Sequence, residues 1–75
     1  MTRDEFIAEL AFIFNLSEND LLQEMELSSI KTWDSIGMLS VITLMREIGA
    51  KIKVEQLRKC QTIADLLKLA EEQLR

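Results

Sequence analysis

The chain has no histidine and only one cysteine, Cys60, in 75 residues. Without a second thiol no internal disulfide forms, and without imidazole neither a common zinc site nor a histidine-based catalytic triad can be assembled. Positive charge is also in short supply: 9 Lys and Arg stand against 13 Asp and Glu, a net charge of −4. That balance repels phosphate backbones and argues against nucleic acid as a partner. The apolar stretch at residues 36–45 is broken by Ser40 and Thr43 and is too short to span a bilayer. The opening MTRDEF turns acidic where a secretory signal needs a basic and then an apolar segment. These absences predict a cytoplasmic protein that is not an enzyme, with no catalytic residue, no metal and no membrane segment.

A hydrophobic share of 48% and a charged share of 29% are those of a folded chain rather than a disordered tail. The length allows one small domain, residues 1–75, whose modest core must be used economically. Thr2 and Glu5 have the spacing of a capping box. Phe6, Ile7, Leu10, Ile13 and Phe14 then recur at intervals of three and four, which predicts a helix over about 3–14. Residues 15–34 make an unusually long connection for a compact domain, so part of it must be ordered. Ser17 and Asp20 are placed to start a short helical turn through Leu21, Leu22 and Met25. Leu27, Ile30 and Trp33 are placed to pin the loop to the core.

A second helix is expected from Ser35 to about Ile48, with Asp34 as N-cap and Gly49 as the stop. At about 100° per residue, Met38, Val41, Ile42, Met45 and Ile48 share a broad inward face. Ser40, Thr43 and Glu47 form a narrow polar stripe opposite, and Ile36 falls within it. A short third helix over 54–60 turns Val54 and Leu57 inward. Thr62 and Asp65 have capping-box spacing for a last helix that buries Ile63, Leu66, Leu67, Ala70 and Leu74 and ends near Leu74. No stretch alternates with the period of a strand. The expectation is an all-α four-helix bundle: three longer helices, one short third helix and a long first loop.

Trp33-Asp34-Ser35-Ile36, an apolar helix closing on Glu47-Ile48-Gly49, then Lys51-Ile52, a short helix and Thr62-Ile63-Ala64-Asp65-Leu66 together resemble an acyl carrier protein over nearly the whole chain. The resemblance implies that Ser35 is the attachment point for 4′-phosphopantetheine, transferred from coenzyme A by a phosphopantetheinyl transferase, and that cargo rides on the arm's thiol as a thioester. It also implies that Asp34 helps to engage the transferase, alongside its reading as a helix cap. Independently of the family, a phosphodiester on Ser35 would meet the free amides and positive dipole end of the second helix.

The implied protein is a stand-alone, monomeric carrier of acyl or aminoacyl groups in a specialised lipid, polyketide or related pathway, visited by acyl-loading and acyl-transferring enzymes. One departure stands out. In fatty-acid-synthesis carriers the second helix is rich in acidic residues, whereas this one offers Ile36, Gly37, Ser40, Thr43 and Glu47 as its partner-facing surface. Partners are therefore expected to rely on shape and on apolar anchors such as Ile36, with Gly37 admitting a partner's backbone. The cargo is expected on the surface or in a slot between the second helix and Ile52, Leu57, Ile63 and Leu67, where Met38 and Met45 adapt to it. The competing expectation is an unmodified helical module for protein–protein interaction.

Overall fold

The computed structural model describes residues 1–21 and 24–74. Four α-helices carry the fold: α1 Arg3–Phe14, α2 Ser35–Glu47, α3 Val54–Arg58 and α4 Ile63–Ala70. Among the described residues there is no strand, and the three longer helices and the short third one agree with the sequence pattern. α1 begins in the expected box, with Glu5 N–H donating to Thr2 Oγ1 at 3.1 Å and Thr2 N–H to Glu5 Oε1 at 3.0 Å. Both α1 and α2 end on a left-handed residue, Asn15 with φ 57° and Gly49 with φ 91°. At each end two amides fold back onto orphaned carbonyls: Leu16 onto Ala11 and Asn15 onto Phe12, then Ala50 onto Met45 and Gly49 onto Arg46.

The connection from α1 to α2 is ordered by two 3₁₀ turns, Glu18–Asp20 and Leu27–Ser29. The first starts where Ser17 and Asp20 placed it, and Ser17 Oγ donates to Asp20 Oδ2 at 2.9 Å. The part expected of Leu22 lies outside the described residues. Leu21, Leu27 and Ile30 are buried, and Trp33 packs edge-on against Phe14 with ring centroids 5.9 Å apart. The loop is also tied to the start of α4 by a pair of backbone hydrogen bonds. Leu27 N–H donates to the Gln61 carbonyl at 2.8 Å and Ile63 N–H to the Met25 carbonyl at 3.1 Å.

The core gathers Phe6, Leu10 and Phe14 from α1, Val41 and Met45 from α2, Leu57 from α3, and Ile63 and Leu66 from α4. No polar or charged residue is buried among the described residues. Three sequence expectations need correction. Val54 is exposed rather than inward, because it opens a helix of five residues whose one buried position is Leu57. Leu44 is buried although it lies outside the expected inward face of α2, whose buried arc is wider and reaches toward α1. α4 proper stops at Ala70 and tightens into a 3₁₀ turn, Glu71–Gln73, before a half-buried Leu74.

At the α4 start, Asp65 Oδ2 accepts from Gln61 N–H at 2.8 Å and Thr62 N–H at 3.1 Å. Those two amides hold its carboxyl below the usual carboxylate range. A lowered folded-state value means the contribution is present above the unfolded-state pKa of about 4 and is lost as pH falls through the folded value. Asp65→Asn is expected to lower the urea midpoint at neutral pH. It should also flatten the loss of stability on acidification through the carboxylate range, as read from urea melts at stepped pH.

Candidate functional site at the start of α2

The entry to α2 is built from a tight reversal of the chain. Asp34 N–H donates to the Thr32 carbonyl at 2.9 Å, closing a three-residue turn around Trp33. Asp34 then caps the helix: its Oδ1 accepts from Gly37 N–H at 2.9 Å, and its carbonyl accepts from Met38 N–H at 2.9 Å. The amides of Ser35 and Ile36 are left without a partner among the described residues, at the positive end of the helix. Ser35 occupies the first helical position and is exposed, and its hydroxyl has no hydrogen-bond partner among the described residues. The cap role read for Asp34 is therefore present in the structure, and its exposed side chain keeps one oxygen for other contacts.

Gly37 differs from its expected role. It is buried, and a Cβ at this position would run into the Thr32 carbonyl oxygen. The room that the missing side chain makes is filled by the chain's own loop and is closed to a partner's backbone. Gly37 thus leaves the proposed docking surface and becomes the reason the loop can cross the first turn of α2. Thr32 bears a cost in this arrangement, since its Oγ1 is buried without a hydrogen-bond partner among the described residues.

The outward face of α2 carries Ser35, Ile36, Leu39, Thr43, Arg46 and Glu47, all exposed, with Ser40 half-exposed at its edge. Ile36 is 76% and Leu39 63% exposed, so the half of the face beside Ser35 is apolar and uncharged. Ser40 and Thr43 turn their hydroxyls onto the Ile36 and Leu39 carbonyls at 3.1 and 3.0 Å, which leaves their hydrocarbon sides outward. Ser40, Thr43 and Glu47 also line a shallow groove of about 270 Å³ with Phe12 and Ile13 of α1. Phe12 is 83% exposed.

Two members of this surface escaped the sequence reading. Leu39 had a usable signal, lying three residues after Ile36 on the same stripe. Phe12 had none, because it sits inside an almost continuous apolar run in which helical periodicity does not separate inside from outside.

The slot expected between helices is closed, with Met45 and Leu57 each 0% and Ile63 1% exposed. Cys60 is half-buried, and its thiol donates to the Gln56 carbonyl at 3.3 Å. Burial, with the Asp65 carboxylate adding to it, pushes that thiol up and so disfavours the thiolate. Lys51, Lys53, Arg58 and Lys59 form an exposed basic rim around α3. Among the described residues no cluster of His, Cys, Asp and Glu is suited to a metal ion, and no helix is long and apolar enough to cross a membrane. The chain finds no match among protein-family models, curated proteins or solved structures.

Two substitutions test the packing at this site through urea unfolding. Gly→Ala inside a helix ordinarily gains about 0.5–1 kcal/mol. Gly37→Ala should instead lose about 1–3 kcal/mol, because the new methyl displaces the Thr32 carbonyl. Thr32→Val, which removes the orphaned hydroxyl at nearly constant shape, should raise stability by about 1 kcal/mol.

Proposed function

We propose that the chain is a covalent carrier domain, one that is modified at Ser35 and moves a tethered cargo between enzymes without catalysis of its own. Within that class the reading is an acyl carrier protein. The observation that carries it is Ser35 itself: an exposed hydroxyl at the first position of α2, without a partner among the described residues and beside two amides likewise unpaired among them, inside the Trp33-Asp34-Ser35-Ile36 pattern. A serine oxygen attacking the β-phosphate of coenzyme A would form the Oγ–P bond and break the pyrophosphate link. Adenosine 3′,5′-bisphosphate then leaves, and the serine proton passes to the transferase.

The residues fit the resulting phosphodiester. The Ser35 and Ile36 amides and the dipole of a 13-residue helix favour negative charge there. Asp34 stays anchored on Gly37 while its exposed edge is available to the transferase and its magnesium. When bound, the arm supplies a thiol that holds acyl groups as thioesters. The chain's part is to present that tether beside a docking face and so to raise the local concentration of cargo at each partner.

Ile36 and Leu39, with Thr43, Ser40 and Glu47 further along α2, make up that face in this reading. Acyl-loading and acyl-transferring enzymes of a specialised lipid, polyketide or related pathway would dock there through shape and apolar contact, with weak charge steering. The exposure of Phe12, Ile36 and Leu39 also suits an unmodified interaction module. Mass spectrometry separates the two readings. With coenzyme A, magnesium and a permissive transferase, the protein should gain one phosphopantetheine group and Ser35→Ala should gain none. A folded protein that gains no mass is the interaction module instead.

A further inference from the structure

The groove between α1 and α2 begins at Ser40, beyond the first turn of α2, and is separate from the Ser35 end. Glu9, Phe12 and Ile13 of α1 line it opposite Ser40, Thr43 and Glu47 of α2. Phe12, at 83%, is the most exposed large apolar side chain among the described residues. Leaving such a ring in water forgoes the burial of a large apolar area. The two hydroxyls in the groove give their hydrogens to carbonyls of their own helix, so the groove has no hydroxyl hydrogen to offer a polar ligand. Its volume of about 270 Å³ falls below the range of small-molecule pockets, about 300–1,000 Å³. From Ser40 to Glu47 its wall runs about 10 Å, or two helical turns. Those dimensions suit one large side chain of a helix laid along the groove.

Charge then narrows the partner. Glu9 and Glu47 are exposed carboxylates with no ion-pair partner among the described residues. Glu47 is also the last residue of α2, where the negative end of the helix dipole opposes its charge. Arg46 precedes it but does not line the groove. We infer that this groove docks a partner helix that sets one large apolar side chain against Phe12, between Lys or Arg residues that meet Glu9 and Glu47. A second copy of this chain does not fit. Matching the groove to itself brings the Glu9 and Glu47 carboxylates of both copies together on molecules of net charge −4. The contact goes beyond the carrier reading and does not rest on it, because it uses no group at Ser35.

The test uses the full, unmodified chain and an alanine-based helical peptide in which one leucine is flanked by lysines four residues before and after it. NMR shifts of backbone amides and aromatic protons locate the peptide. Shifts are expected at Phe12, Ser40, Thr43 and Glu47, with binding that weakens as salt is added. Phe12→Ala should weaken binding about tenfold. Glu9→Gln combined with Glu47→Gln should weaken it and remove its salt dependence. All three side chains are exposed, and the urea transition checks that each variant remains folded. A peptide with glutamates in place of the lysines should not bind. The proposal is overturned by an absence of shifts in the groove, by equal shifts with the glutamate peptide, or by binding indifferent to Phe12→Ala. Groove shifts that grow with protein concentration alone make a second copy the occupant and overturn it as well. Loading of Ser35 enters none of these readouts, so the carrier reading stands or falls separately.

Discussion

A missing side chain at residue 37 decides how the rest of the molecule is put together. The loop must cross the first turn of α2 closely enough for the Thr32 carbonyl to touch the helix, and that is possible only where there is no Cβ. With the crossing in place, the turn around Trp33 aims its ring at Phe14, and Asp34 falls where it can cap Gly37. Ser35 then emerges into solvent at the first helical position. Lift the loop off the helix and the anchor, the cap and the exposed serine are disturbed together. The intrinsic helix weakness of glycine is the smaller effect, and the contact it permits is the larger.

The sequence announced the helices because their ends are written in local chemistry. Thr2 with Glu5, Asp34, Thr62 with Asp65, and Gly49 each satisfy or terminate a helix through groups within a few residues, so spacing alone finds them. Leu27, Ile30 and Trp33 were legible as loop anchors because large apolar residues in a polar connection have few other uses. Gly37 was misread for the opposite reason. What it touches is a backbone carbonyl folded over from the loop, and no pattern within α2 contains that. Leu44 and Phe12 lie in stretches so apolar that the helical period loses contrast, and only the packing of α1 on α2 sorts one inside and the other out. The candidate site was legible as a serine in its setting. The surface around it was legible only in part.

The same apolar excess bears on the docking proposed for this face. On a chain of net charge −4, the α2 face beside Ser35 carries no charge until Arg46 and Glu47. In the carrier reading, long-range attraction would contribute little to the first encounter with a partner docking there, and discrimination would fall to short-range fit around Ile36 and Leu39. Salt should matter less to such a contact than burial does. The basic rim of Lys51, Lys53, Arg58 and Lys59 lies around α3, so acidic surfaces would be drawn to a different part of the molecule.

The pair of hydrogen bonds joining Met25 and Leu27 to Ile63 and Gln61 closes nearly half the chain into one ring. Helices that begin and end in local caps can form before any distant contact exists, whereas this closure carries the loop entropy of everything between. It is thus a late event in folding and an early one to be lost. Leu27 and Ile63 both belong to the common core, so amide exchange at these two positions reports on the closure of that ring.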